Sequence, residues 1–75
     1  MLEMRPDCEG CGVDLYANSL GAHICSFECT FCTACAEGSA NLCPNCGGEL
    51  LPRPTRTGEA LMQYPASTKR RHEAG

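Results

Sequence analysis

Cys25-Ser-Phe-Glu-Cys29-Thr-Phe-Cys32-Thr-Ala-Cys35 places four cysteines within eleven residues, and Cys43-Pro-Asn-Cys46 follows after a gap of seven. Upstream, Cys8-Glu-Gly-Cys11 completes a set of eight cysteines in a chain of 75 residues. The full spacing is C-x2-C-x13-C-x3-C-x2-C-x2-C-x7-C-x2-C. It divides into four pairs: Cys8/Cys11, Cys25/Cys29, Cys32/Cys35 and Cys43/Cys46. A zinc ion takes four tetrahedral ligands with sulfur at about 2.3 Å, and a C-x2-C turn supplies two of them. Four pairs therefore make two sites, with all eight cysteines as ligands. A closed set of four sulfurs leaves no position for water or substrate, so both sites read as structural.

The rest of the composition leaves the fold in need of such support. Between Leu2 and Leu51 there are only twelve large apolar side chains. A core that thin is normally reinforced by disulfides or metal. The start of the chain, Met1-Leu-Glu-Met-Arg-Pro-Asp-Cys8, has no apolar run and carries charges of both signs, so no signal peptide is expected. No stretch is long and apolar enough to suggest a membrane span. A cytoplasmic location follows as the expectation, and in that compartment thiols stay reduced and cluster on metal. Each structural zinc contributes roughly 10–16 kcal/mol of folding free energy, enough for a fold with little core.

Three segments are expected. Residues 1–7 lead in, residues 8–51 hold every cysteine, and residues 52–75 contain three prolines and the basic run Lys69-Arg70-Arg71-His72. The domain reading is a binuclear zinc-binding domain over 1–51 and a flexible, disordered tail over 52–75. Within the tail, Glu59 to Tyr64 makes at most one marginal helical turn. Within the core, Cys11-Gly12 and Cys46-Gly47 have the same form. The glycine can take a positive φ and turn backbone N–H groups toward the sulfurs. Ala22–Phe27 and Cys29–Phe31 are read as a short hairpin, and Thr33 to Glu37 as a short helix ended by Gly38.

Spacing leaves open which pairs share an ion. A sequential scheme joins the first pair to the second and the third to the fourth. A nested scheme puts Cys25, Cys29, Cys32 and Cys35 on one ion, which crowds four ligands into eleven residues. A crossed scheme joins Cys8, Cys11, Cys32 and Cys35, and separately Cys25, Cys29, Cys43 and Cys46. It interlocks the two sites.

The run from Cys25 to Cys35, followed by Cys43-Pro44-Asn-Cys46, resembles the second half of a RING finger. Phe31 and Pro44 fall where that pattern expects an aromatic and a proline, and Cys29 replaces the usual histidine. The resemblance covers residues 8–47. It implies a RING-like binuclear zinc fold with a short β-hairpin and at most one short helix, and it implies the crossed ligand scheme. The whole chain is also similar to a family of short uncharacterised bacterial eight-cysteine proteins. They open much like Met1-Leu-Glu-Met-Arg-Pro and share a core like Ile24-Cys-Ser-Phe-Glu-Cys-Thr-Phe-Cys32. That family implies zinc and a bacterial source, and no reaction.

The likeness to RING fingers raises a ubiquitin-ligase reading, with Val13 and Pro44 as contacts for a conjugating enzyme. Against it, the chain has no tryptophan, and Gly47 stands where such ligases carry an arginine. Nucleic-acid association is the main alternative, led by Arg53, Arg56, Lys69, Arg70 and Arg71. The formal net charge of −3 opposes it, and two zinc tetrathiolates would add about −4. Packing around the metal sites accounts better for Phe27 and Phe31 than base stacking does. The ferredoxin pattern fits poorly, because the long gap comes first and no proline follows. His23 reads as a surface residue on a strand. Glu28 has no metal-bound water to activate, so no catalytic residue is assigned. The resulting expectation is a zinc-binding protein-interaction or adaptor module, with another protein as partner, no membrane and no small-molecule substrate.

Overall fold

The computed structural model describes residues 2–70. Three short strands and two short helices frame the chain: β1 (Ala22–Ile24), β2 (Thr30–Cys32), α1 (Thr33–Gly38), β3 (Leu51–Pro52) and α2 (Gly58–Gln63). The strands form one antiparallel sheet in the order β2-β1-β3. In its register His23 faces Phe31 on one side and Pro52 on the other. The expected hairpin is present, and β3 is an addition that the sequence did not announce.

Thr30 and Phe31 suit an extended strand, and Cys32 then changes role. It ends β2 and caps α1, its sulfur accepting the Cys35 N–H at 3.5 Å. A short polar acceptor at this position satisfies one of the amides that a helix start leaves open. The helix buries Ala36 completely. It stops where Ala40 and Asn41 take positive φ and Asn41 N–H returns to the Ala36 carbonyl at 2.8 Å.

Two small loops repeat one design. In the first, Cys8 N–H bonds to the Val13 carbonyl and Gly12 N–H to the Cys8 carbonyl, and an Asp7–Asp14 bridge closes the base. In the second, Cys43 pairs with Gly48 and Gly47 with Cys43, above a Leu42–Glu49 bridge. Gly12 and Gly47 sit at φ 82° and 77°, as the reading of those glycines required.

The core consists of Leu15, Ala22, Phe31, Ala36 and Leu50 together with the sulfur-bearing Cys8, Cys25 and Cys43. Phe31 is buried, but Phe27 is 71% exposed, which corrects the expectation that both phenylalanines pack around the cysteines. The strand phase decides this: Phe31 lies on the inner face of β2, whereas Phe27 is at the tip of the β1–β2 loop.

The boundary expected at residue 51 falls inside β3, and the chain beyond it returns to the core. Arg53 is buried and donates to the carbonyls of Arg5, Leu15 and Tyr16. Arg56 donates to the carbonyls of Leu2 and Tyr64, and Ser67 N–H bonds to the Glu3 carbonyl. Arg70 pairs with Asp14 at 2.7 Å and with the Gly12 carbonyl at 2.7 Å. The turn expected over Glu59–Tyr64 is α2, a second helix beyond the one expected. Arg71 and His72 of the basic run lie outside the described residues. Among those residues no helix is long and apolar enough to cross a membrane.

Candidate metal centres

Sheet, helix and loops bring the cysteines together in the crossed order. The sulfurs of Cys8, Cys11, Cys32 and Cys35 all lie within 4.8 Å of one another. Cys8 and Cys11 come from the first loop, Cys32 from the end of β2 and Cys35 from the first turn of α1. In the second centre Cys25, at the end of β1, meets Cys43 and Cys46 of the second loop within the same limit. Cys29 stands beside Cys25 and Cys43, but outside that tight group of three. Neither the sequential nor the nested grouping occurs. All eight are free thiols, so no disulfide competes for them.

The separations suit a single ion. A tetrahedron with metal–sulfur bonds of about 2.3 Å has sulfur–sulfur edges of about 3.8 Å. The Cys11 and Cys32 sulfurs are 3.8 Å apart. A polynuclear iron–sulfur cluster spreads its cysteines over several irons, and their sulfurs stand further apart than this.

Backbone amides aim at the sulfurs and favour the charged form. Gly10 N–H reaches the Cys8 sulfur and Phe27 N–H the Cys25 sulfur, both at 3.3 Å. Burial opposes ionisation of Cys8, but amides of Cys32, Cys11 and Gly10 outweigh it and bring the thiol down to about 7. For Cys25 the same burial is outweighed by amides of Phe27 and Cys29, again to about 7. The remaining neighbours then compete for protons. Burial, and then the Cys8, Cys32 and Cys11 sulfurs, push Cys35 up. Burial raises Cys29 to about 11, against a hydrogen bond from the Asn45 side chain and with the help of Cys25 and Cys43. Such crowding of thiolates is what a divalent cation relieves, because metal binding displaces the protons.

Three supporting residues escaped the reading of the sequence. Gly10 lies so close to the first centre that a Cβ there would stand 3.0 Å from the Cys35 sulfur. Its position between two ligands was the available signal. Glu9 holds the first loop to β2: its amide bonds to the Thr30 carbonyl at 2.9 Å and its carboxylate accepts the Thr30 N–H at 2.7 Å. Asn45 reaches from the second loop toward Cys29 and toward Glu9. No local pattern marks either of these contacts. His23, expected on a strand surface, lies on β1 with Nε2 3.3 Å from the Thr33 hydroxyl, and its Nδ1 is buried. It belongs to neither cysteine group.

Fold and site together define a small domain held around two interleaved four-cysteine clusters able to hold metal ions. The chain belongs to the family described as protein of unknown function (DUF1272), whose model matches residues 1–56. It is 56% identical over 71 residues to uncharacterized protein R02474 of Rhizobium meliloti (strain 1021), a span of 93% of this chain and 84% of that protein. No solved structure matches the chain. The family match ends at residue 56, after the buried Arg53.

Proposed function

We propose that this protein is a structural zinc module of a bacterial cytosol that presents a protein-binding surface and carries no catalysis of its own. One zinc is assigned to Cys8, Cys11, Cys32 and Cys35, the other to Cys25, Cys29, Cys43 and Cys46. The observation that carries the reading is the gathering of the cysteines into two interleaved sets, the first with all four sulfurs at single-ion spacing and the second with three of its four equally close. Soft tetrahedral sulfur donors select zinc over harder divalent ions. Because the sets interleave, each ion holds a segment that serves the other, and a core of this size gains rigidity it could not reach through apolar packing.

A binding role rests on what stays outside that core. Phe27, Leu51, Leu42 and Val13 are exposed. Ile24, Leu51 and Pro52 line a groove beside Cys25. Rigid, exposed apolar groups of this kind suit a protein partner. The cations that would serve nucleic acid are largely engaged: Arg53 and Arg56 on carbonyls, Arg70 on Asp14. No second reading is therefore preferred.

Native mass spectrometry with elemental analysis of the reduced protein tests the metal assignment, and two zincs per chain are expected. Iron with sulfide, or four disulfides without metal, refutes it. A Phe27→Ser/Leu51→Ser variant tests the binding surface. It is expected to keep both zincs and to lose partners that cross-link to the native chain in its host. Unchanged cross-links refute that part.

A further inference from the structure

We infer that the two centres are unequal, and that Cys29 is the displaceable ligand through which the second centre exchanges its metal. This rests on the zinc reading above and concerns only how firmly each ion is held.

Three observations converge on Cys29. The first is spacing. Three of the four pairs are C-x2-C, but Cys25 and Cys29 are separated by three residues, and the turn between them closes Glu28 N–H on the Cys25 carbonyl at 3.0 Å, one residue short of Cys29. The extra residue is absorbed at Glu28, which adopts φ 63°. A non-glycine residue at positive φ carries a steric cost that the other three pairs avoid by placing glycine after the turn or a ligand at the helix cap. The second is geometry. All four sulfurs of the first centre share one 4.8 Å group, whereas the second centre gathers only Cys25, Cys43 and Cys46 so closely. The third is an alternative partner. The Asn45 amide lies beside the Cys29 sulfur and 3.5 Å from the Glu9 carboxylate, so a side-chain donor stands next to that sulfur when it is not on the metal.

The first centre has the opposite character. Cys32 and Cys35 are fixed by a strand end and a helix turn, and Glu9 ties the facing loop to the same strand. Displacing Cys32 or Cys35 means distorting regular structure. Displacing Cys29 releases a strained loop. In the exchange an incoming thiol or chelator donor replaces the Cys29 sulfur on the metal. Where the donor arrives as a thiol, its proton passes to Cys29, which leaves as a neutral thiol. The three remaining sulfurs then hand the ion over.

The test uses the full-length, reduced, zinc-loaded protein. It is challenged with excess EDTA, sampled over time by native mass spectrometry, and pulsed with N-ethylmaleimide before peptide mapping. Given the usual cost of one strained backbone residue, the zinc of the second centre is expected to leave roughly tenfold or more faster than that of the first centre. The one-zinc species is expected to carry label on Cys29 first and then on Cys25, Cys43 and Cys46, with Cys8, Cys11, Cys32 and Cys35 protected. A Glu28→Asn variant, better suited to a positive φ, is expected to slow the first loss severalfold. Loss of both zincs together, or label appearing first on Cys8, Cys11, Cys32 or Cys35, overturns the inference and leaves the zinc assignment standing. A protein that carries no zinc at all overturns both.

Discussion

Replacing Gly10 with alanine adds one methyl group to the most crowded point of the first centre. The new Cβ would stand 3.0 Å from the Cys35 sulfur and 3.5 Å from both the Cys35 Cβ and a Phe31 ring carbon. Ordinary carbon–sulfur contact is several tenths of an ångström longer, so one partner has to give. Phe31 is buried, and Cys35 is held by α1 and by its three sulfur neighbours, so neither yields cheaply. Metal sites tolerate ligand shifts of only about 0.2 Å. Overpacking of this size costs about 1–3 kcal/mol, and disturbing the groups that orient a ligand typically weakens metal binding by about 10–100-fold. The expected result is a loss of that order in zinc affinity at the first centre, read by chelator competition with native mass spectrometry. Gly38→Ala is the matched control. A Cβ there meets nothing within 4 Å, and the substitution removes a glycine from a helix. It is expected to stabilise the protein by about 0.5–1 kcal/mol. Affinity within twofold of the native protein in Gly10→Ala would falsify the packing account of the first centre.

Arg53→Met removes a buried guanidinium that serves three carbonyls from two separate segments. It is expected to lower stability by about 2–3 kcal/mol in urea melts at saturating zinc, with Arg53→Lys rescuing little because one ammonium cannot span all three. Unaltered melts would mean that the returning chain contributes nothing to the fold. Gly47→Ala forces a side chain onto φ 77° and should cost about 1 kcal/mol, chiefly as weaker metal binding at the second centre. Equal weakening of both centres in a chelator titration would contradict that assignment. Zinc binding at pH 7 should release about two or more protons per centre. Cys35 is raised by burial and its thiol neighbours, and Cys29 by burial to about 11. Cys11 is raised by Cys8 and Cys32 against the pull of the Val13 N–H, and Cys46 by burial, Cys25 and Cys43 against the Gly48 N–H. Thiols with raised values hold their protons at pH 7 and must surrender them to the metal, so affinity should climb with pH and fall on acidification. Calorimetry in buffers of different ionisation enthalpy measures the number, and proton-neutral binding would refute the account.

Much of this molecule is readable from local pattern. The eight cysteines, their division into four pairs, the two glycines after the outer pairs, the hairpin and α1 all depend on residues a few positions apart. For such features spacing and backbone preference are enough. The crossed grouping came from resemblance to RING fingers, since spacing alone left three schemes open. The tertiary structure decides between them, because β2 and α1 carry Cys32 and Cys35 to the first loop while β1 carries Cys25 to the second. It also decides what local pattern misread. The arginines after residue 51 read as part of a flexible basic tail, yet Arg53 is enclosed by carbonyls that lie 37 to 48 residues away in sequence. Gly10 looked like any turn glycine until α1 placed Cys35 against it. Cysteine pairing within a turn is a short-range property of the chain. The enclosure of a guanidinium, or the approach of a helix to a glycine, exists only once distant segments have packed.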